Sequence, residues 1–236
     1  MTETLLTGGR TTKGVVRIGE TVRRPPMINS AFIHHLLRHL AAVGFDGVPR
    51  SLGCDGEGRD VLGWIDGEVP AELSATHSDA VLVSAARLIR RYHDATAPLL
   101  GAPAAVAAGL EVVCHNDLSP CNFVFRAGLP VAVIDFDATS PGTRAHDLGY
   151  AAWLWLDLGC TDKAAPEQRR RLDVFLNAYG SVPTRAEVVL AILYRQDLLV
   201  AQGKRTGDTA MARWAQHCRA WTRNCLSDEA VIQTAE

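Results

Sequence analysis

The spacing of apolar and polar residues divides the chain into two textures. Over residues 1–26, short apolar runs alternate with glycine-bearing turns. Thr4-Leu5-Leu6 precedes a glycine-rich stretch at 7–14, Val15-Val16-Arg17-Ile18 resumes an extended pattern, and Gly19-Glu20 turns the chain into Thr21-Val22-Arg23-Arg24. Pro25-Pro26 closes that strand, because proline cannot donate to a sheet ladder. Residues 28–43 then place Ile33, Leu36, Leu37, Leu40 and Val43 at intervals of three and four, which predicts a helix, with Gly44 as its stop. Two further strands are predicted at 49–54 and 60–65, joined by the turn Asp55-Gly56-Glu57-Gly58.

Beyond Asp66-Gly67-Glu68-Val69-Pro70 the pattern becomes helical. Residues 78–94 carry Val81, Ala85, Leu88, Ile89 and Tyr92 on one face, and Pro98 closes the segment. Further helices are predicted at 147–158, which holds Tyr150, Trp153 and Trp155, and at 166–179, 184–202 and 208–226. One hairpin interrupts them: Phe123-Val124-Phe125 and Val131-Ala132-Val133-Ile134 flank the glycine-containing turn 126–130. The chain therefore reads as α+β with two lobes. A β-rich lobe of residues 1–66 precedes a mostly helical lobe of residues 67–236, with the connector near 64–71 and a hinge near 63–68.

The chemistry concentrates around that hairpin, which follows His115-Asn116-Asp117-Leu118-Ser119-Pro120-Cys121-Asn122 and leads into Asp135-Phe136-Asp137. A symmetric register sets Asn122 opposite Asp135, with Cβ atoms roughly 4.5–5.5 Å apart. An amide oxygen and a carboxylate at that separation can share Mg²⁺, whose oxygen ligands lie at about 2.0–2.1 Å. Asp117, on the loop entering the hairpin, adds a carboxylate beside the metal pair Asn122 and Asp135.

Composition narrows the functional class. The 236 residues are enough for a substantial core, and 47% hydrophobic with 21% charged residues is ordinary for a globular protein. A formal net charge of −2 gives no global attraction to nucleic acid or to an anionic membrane, and Arg169-Arg170-Arg171 reads as a solvated helix face. No basic segment followed by an apolar stretch opens the chain, and no run approaches the ~18 apolar residues of a membrane span. The six cysteines are irregularly spaced without a C-x-x-C, as in reduced thiols of a cytoplasmic protein. Cys114, His115 and Cys121 make three mixed ligands without a fourth, an incomplete structural zinc site. A dinucleotide enzyme is disfavoured because no G-x-G-x-x-G links a strand to a helix.

The motifs of residues 112–150 resemble those of the aminoglycoside phosphotransferase branch of the protein-kinase-like fold. That family's catalytic loop, H-G-D-x-x-x-x-N, is matched by His115–Asn122, its metal-binding I-D-[FW]-[DE] by Ile134-Asp135-Phe136-Asp137, and its helix-starting aspartate by Asp147 in Arg144-Ala145-His146-Asp147-Leu148-Gly149. The resemblance implies a two-lobe kinase-like fold and an enzyme moving the γ-phosphate of ATP or GTP to a small-molecule hydroxyl. It implies that Asp117 is the catalytic residue, that Asn122 and Asp135 bind Mg²⁺, and that His115 and Asp147 brace the loop. It further implies that the glycine-rich loop with Gly9 and Gly14 covers the phosphates, that Trp64 and Ile65 form the hinge against the base, and that Arg23 contacts phosphate in place of lysine. An aminoglycoside or related antibiotic, choline, homoserine or a sugar are the implied acceptors. The predicted helix 28–43 carries no acidic partner for Arg23, with His34, His35, Arg38 and His39 among its polar positions. A catalytically weak, nucleotide-binding pseudo-kinase is the alternative this departure supports.

Overall fold

Five short strands near the start of the chain form one antiparallel sheet. They are β1 (Glu3–Leu5), β2 (Val16–Ile18), β3 (Thr21–Arg24), β4 (Ser51–Cys54) and β5 (Asp60–Gly63), in the spatial order β1-β2-β3-β5-β4. The computed structural model describes residues 2–6, 14–73 and 76–226. The segment 7–13, with Gly9, lies outside them. The turn between β4 and β5 closes because the Asp55 carboxylate accepts from the backbone N–H groups of Glu57 and Arg59, each at 3.0 Å. Helix α1 (Ser30–Ala42) joins β3 to β4 and buries Ile33, Leu36, Leu37 and Leu40 of the stripe its periodicity predicts, while Val43 lies past the helix end and is exposed.

The remainder is helical around two small β pairs. Helix α2 (Asp79–Thr96) is capped by Ser78, whose side chain accepts from the Val81 N–H. It is followed by α3 (Pro103–Ala107), β6 (Val112–Cys114), the hairpin β7 (Phe123–Arg126) and β8 (Leu129–Val133), and β9 (Ser140–Gly142). Four helices complete the lobe: α4 (Arg144–Leu156), α5 (Ala165–Tyr179), α6 (Arg185–Thr206) and α7 (Thr209–Leu226). Their shared core contains Leu82, Ile89, Tyr92, Trp153, Trp155 and Phe175. A sheet-rich lobe thus precedes a helical one, which is the two-lobe arrangement of protein kinases. No helix among the described residues is long and apolar enough to cross a membrane.

Three local departures from the sequence reading matter for the site. The β6–β9 pair, Val112↔Gly142 to Cys114↔Ser140, carries no pattern long enough to announce itself as a strand pair, yet it ties both ends of the central region together. Helix α4 starts earlier than expected because Thr143 caps it, accepting from the His146 N–H. The hairpin closes through Ala127 and Gly128, both at positive φ (50° and 76°), as a two-residue type I′ turn requires. Its register shifts between Val124 and Phe125. The symmetric register is therefore corrected by one residue: Ile134, not Asp135, lies opposite Asn122, its N–H donating to the Asn122 carbonyl at 2.9 Å.

The connector is fastened to this hairpin. Glu68 and Phe125 exchange backbone hydrogen bonds at 2.9 and 2.7 Å. Gly67, at φ +147°, permits the approach, since a Cβ there would stand 2.4 Å from the Phe125 carbonyl oxygen.

Candidate active site

Two sharp backbone bends expose the chemistry. Asn116 and Asp135 both adopt the left-handed region, at φ 65° and 67°. Non-glycine residues rarely hold that conformation, and Asn and Asp tolerate it best. The bend at Asn116 lets residues 115–117 present two backbone N–H groups to one side. Asp147, in the first turn of α4 and fully buried, receives both: Oδ2 accepts from the His115 N–H and Oδ1 from the Asn116 N–H, each at 2.8 Å. His93 of α2 adds a third contact to Oδ2 at 3.0 Å, and its other ring nitrogen meets the Tyr179 hydroxyl at 2.7 Å. Burial by itself would raise the Asp147 pKa. The His93 hydrogen bond and charge, together with the His115 N–H, outweigh it and hold the carboxyl below its ordinary range.

His115 is likewise a brace. It is fully buried, and burial lowers its pKa, so the ring is neutral. With the proton on Nε2 it donates to the Ile134 carbonyl at 3.0 Å, and Nδ1 accepts from the Asp117 N–H at 3.3 Å. Phe136 meets the ring edge-on at 4.7 Å. One side chain thus joins the loop that carries Asp117 to the segment that carries Asp135. Cys114, His115 and Cys121 do not gather as a metal-ligating group among the described residues: the two ring nitrogens of His115 are turned to backbone groups rather than to either thiol. Trp155 supports the loop from below, donating from Nε1 to the Leu118 carbonyl at 3.0 Å.

On this frame the predicted polar residues converge. Asn122 donates from Nδ2 to both the carbonyl and the carboxylate of Asp117, each at 2.9 Å, which leaves its Oδ1 as an oxygen donor. The Tyr150 hydroxyl bonds to Asp117 and to Arg195, and burial followed by the Asp117 charge pushes its pKa up to about 12. Arg195 of α6 donates to the Asn116 carbonyl at 3.1 Å and lies over the Tyr150 ring at 4.1 Å. Asp135 has its pKa raised to about 6, first by burial and then by the negative charge of Asp137, with Asp117 adding to it and Arg24 opposing it. Carboxylates crowded this way, with amide oxygen beside them, suit a hard divalent cation: the donor set is all oxygen, and a bound cation would relieve the repulsion that Arg24 leaves.

Among the described residues of the small lobe, the arginine that reaches this cluster is Arg24. Its guanidinium pairs with Asp137 and stands 4.0 Å from Asp135. Arg23, the residue named from the sequence, points to the opposite face of β3 and pairs with Asp55 at 3.3 Å. Successive strand residues alternate faces, so only one of the two can reach the cleft. Asn29, just before α1, donates to the Asp137 carbonyl at 2.9 Å. Of the predicted hinge residues, Trp64 is half-buried under the Arg17 guanidinium at 4.0 Å, and its backbone N–H is bound to the Glu20 carbonyl; Ile65 is also half-buried. Gly14 has φ 78°, the left-handed turn expected of a glycine-rich loop.

Six participants were not singled out by sequence reasoning: Arg24, Asn29, His93, the Tyr150 hydroxyl, Arg195 and the Tyr179 hydroxyl. Strand alternation could have raised Arg24. His93 lies on the buried stripe of α2, where a histidine among Leu82, Ile89 and Tyr92 needs a polar partner. Nothing local marks Arg195, which enters through the packing of α6 on α4.

The family model described as the phosphotransferase enzyme family matches residues 99–188, the segment from before β6 to the start of α6. The trifolitoxin immunity protein of Rhizobium leguminosarum bv. trifolii is 35% identical over 158 residues, which are 62% of this chain and 59% of that protein. The chain thus spans about three fifths of the length of that relative. Among solved structures, a choline/ethanolamine kinase family protein from Mesorhizobium loti matches with a TM-score of 0.61 at 18% identity, over 99% of this chain and 90% of that one. The gentamicin complex of APH(2")-IIa matches with a TM-score of 0.57 at 18% identity, over 92% and 90%. The fold is that of the kinase-like phosphotransferases, and the segment 99–188 is similar to the phosphotransferase enzyme family.

Proposed function

We propose that the protein is a Mg²⁺-dependent phosphotransferase that moves the γ-phosphoryl group of ATP or GTP to a hydroxyl of a small molecule. The observation that carries this reading is the loop carboxylate Asp117, fixed by Asn122 and Tyr150 beside the crowded Asp135. Phosphoryl transfer has a loose transition state, so the protein's work is positioning and charge stabilisation. Asp117 accepts the proton of the acceptor hydroxyl and aligns its oxygen. Asn122 Oδ1 and the Asp135 carboxylate would hold the magnesium, which supplies neutralisation of the donor phosphates. Arg24 would extend that positive field from the small lobe, Gly14 would lie over the phosphates, and Trp64 with Ile65 would border the base.

The acceptor reading is narrower than the family resemblance. Three of the acidic residues available to a polycation in the helical lobe are already paired: Asp157 with Lys163 at 3.8 Å, Glu167 with Arg170 at 2.8 Å and Asp173 with Arg185 at 3.2 Å. Arg195 stands beside Asp117. These features favour a hydroxyl compound less cationic than an aminoglycoside, while the name of the Rhizobium relative favours a toxic compound over a housekeeping metabolite. We read its place of action as the cytoplasm. Purified protein with Mg-ATP or Mg-GTP and a panel of hydroxyl compounds should transfer phosphate to at least one, and Asp117→Ala should abolish it. Nucleotide binding without transfer to any acceptor would instead favour a pseudo-kinase, the reading supported by the absence of an acidic residue on α1. Absence of nucleotide binding would defeat both.

A further inference from the structure

The small lobe holds a second cluster of metal-ligating side chains that the proposed reaction does not use. His34 of α1, Cys54 of β4 and Asp60 of β5 each offer one ligand atom, and these atoms lie within 4.8 Å of one another. His34 Nε2 is 3.0 Å from Asp60 Oδ1, and Cys54 Sγ is 3.9 Å from the same oxygen. Tetrahedral zinc with Zn–N, Zn–O and Zn–S bonds of about 2.0, 2.1 and 2.3 Å requires N–O and S–O separations of about 3.4 and 3.6 Å. Both observed separations fall within a few tenths of an ångström of these.

We propose that His34, Cys54 and Asp60 form a site for Zn²⁺, with water as the fourth ligand. The donor set is nitrogen, sulfur and oxygen, which suits a borderline-soft ion and distinguishes it from the all-oxygen cluster at Asp135. The groups behind the ligands are also in place. Ser51 Oγ lies 2.7 Å from His34 Nδ1, and Ser30 Oγ donates to Asp60 Oδ2 at 2.5 Å. A metal-bound histidine normally uses its second nitrogen in such a contact, and a ligating carboxylate is itself hydrogen-bonded. His34 and Asp60 are buried while Cys54 is exposed, so the ion reaches the site from the thiol side and water completes its shell.

Protons balance simply. Zinc binds the Nε2 lone pair, which leaves the imidazole proton on Nδ1 as a hydrogen-bond donor to Ser51 Oγ, and the Cys54 thiol releases one proton to solvent. The ion would join α1 to β4 and β5. The segment just before α1 reaches Asp137 through Asn29, so occupancy would stiffen the wall of the cleft that carries Arg24.

Metal-free protein titrated with Co²⁺ as a spectroscopic stand-in should bind one ion with a thiolate-to-cobalt charge-transfer band, and Zn²⁺ should displace it at equal stoichiometry. Cys54→Ser, a change at an exposed position, should remove the band while leaving the fold intact by circular dichroism. Ser51→Ala should weaken zinc binding roughly 10–100-fold, the usual cost of losing such a supporting contact. Failure of the wild-type protein to bind zinc, or a band that survives Cys54→Ser, overturns the proposal and leaves a hydrogen-bonded cluster only. None of these measurements requires phosphate transfer, so the outcome is independent of the proposed reaction.

Discussion

Arg24 faces Asp135 across the cleft, guanidinium to carboxylate at 4.0 Å, and pairs with Asp137 on the same segment. Arg23, one residue earlier, is spent on Asp55 in a turn of the sheet. The two substitutions should therefore separate. Arg24→Ala should raise the KM for nucleotide by about tenfold to a hundredfold, since a charge-assisted bond contributes about 1.5–3 kcal/mol and each 1.4 kcal/mol is tenfold. Arg23→Ala should change it less than about threefold, the level of a part-exposed ion pair. Steady-state kinetics with varied nucleotide decides, and equal effects would remove Arg24 from the site.

Asp147 touches no reacting group, yet its loss should be severe. Asp147→Ala leaves the His115 and Asn116 N–H groups without acceptors in a buried setting, at about 1–3 kcal/mol each. The melting temperature should fall by several degrees and turnover should collapse with it. His93→Ala should show a milder form of the same loss, because the two backbone donors keep their carboxylate. Thermal denaturation of both variants tests the order; a stable Asp147→Ala protein would contradict it.

The raised Asp135 pKa, about 6, has a definite sign. In the metal-free protein the folded state holds this proton more tightly than the unfolded chain. The contribution is fully present below the unfolded value near 4 and is lost as pH rises through about 6. The side chain is nearly half exposed, so solvent screens the effect and the dependence is shallow. Magnesium needs the ionised form. Adding Mg²⁺ with nucleotide should therefore raise the melting temperature more at pH 7.5 than at pH 5, and kcat/KM at subsaturating magnesium should decline as the pH is lowered. A magnesium effect of equal size at both values would exclude Asp135 as its ligand.

Gly67 sets how the connector meets the hairpin. Gly67→Ala would force a Cβ to 2.4 Å from the Phe125 carbonyl at a φ that alanine resists. A loss of about 1–3 kcal/mol is expected, in the range of overpacked sites. Denaturant titration measures it, and hydrogen exchange at Glu68 and Phe125 should rise with it. Gly56→Ala, where a Cβ meets nothing within 4 Å, is the matched control.

The sequence by itself determined most element types and which polar residues gather at the candidate site. Apolar spacing announced α1 and the large-lobe helices because each must bury one stripe. His115, Asp117, Asn122, Asp135 and Asp147 were legible because a motif compresses into a few consecutive positions the residues that a bend and a hairpin bring together. Tertiary structure decided what depends on direction. A slip of one residue in the hairpin exchanged Asp135 for Ile134 opposite Asn122, and strand alternation exchanged Arg23 for Arg24, since in both cases a single step reverses the side a group faces. His93, Arg195 and the His34–Cys54–Asp60 cluster lay beyond the reach of the sequence. Their partners are between 6 and 86 residues away along the chain, and only packing α1 on the sheet and α2, α5 and α6 around the catalytic loop brings them into contact.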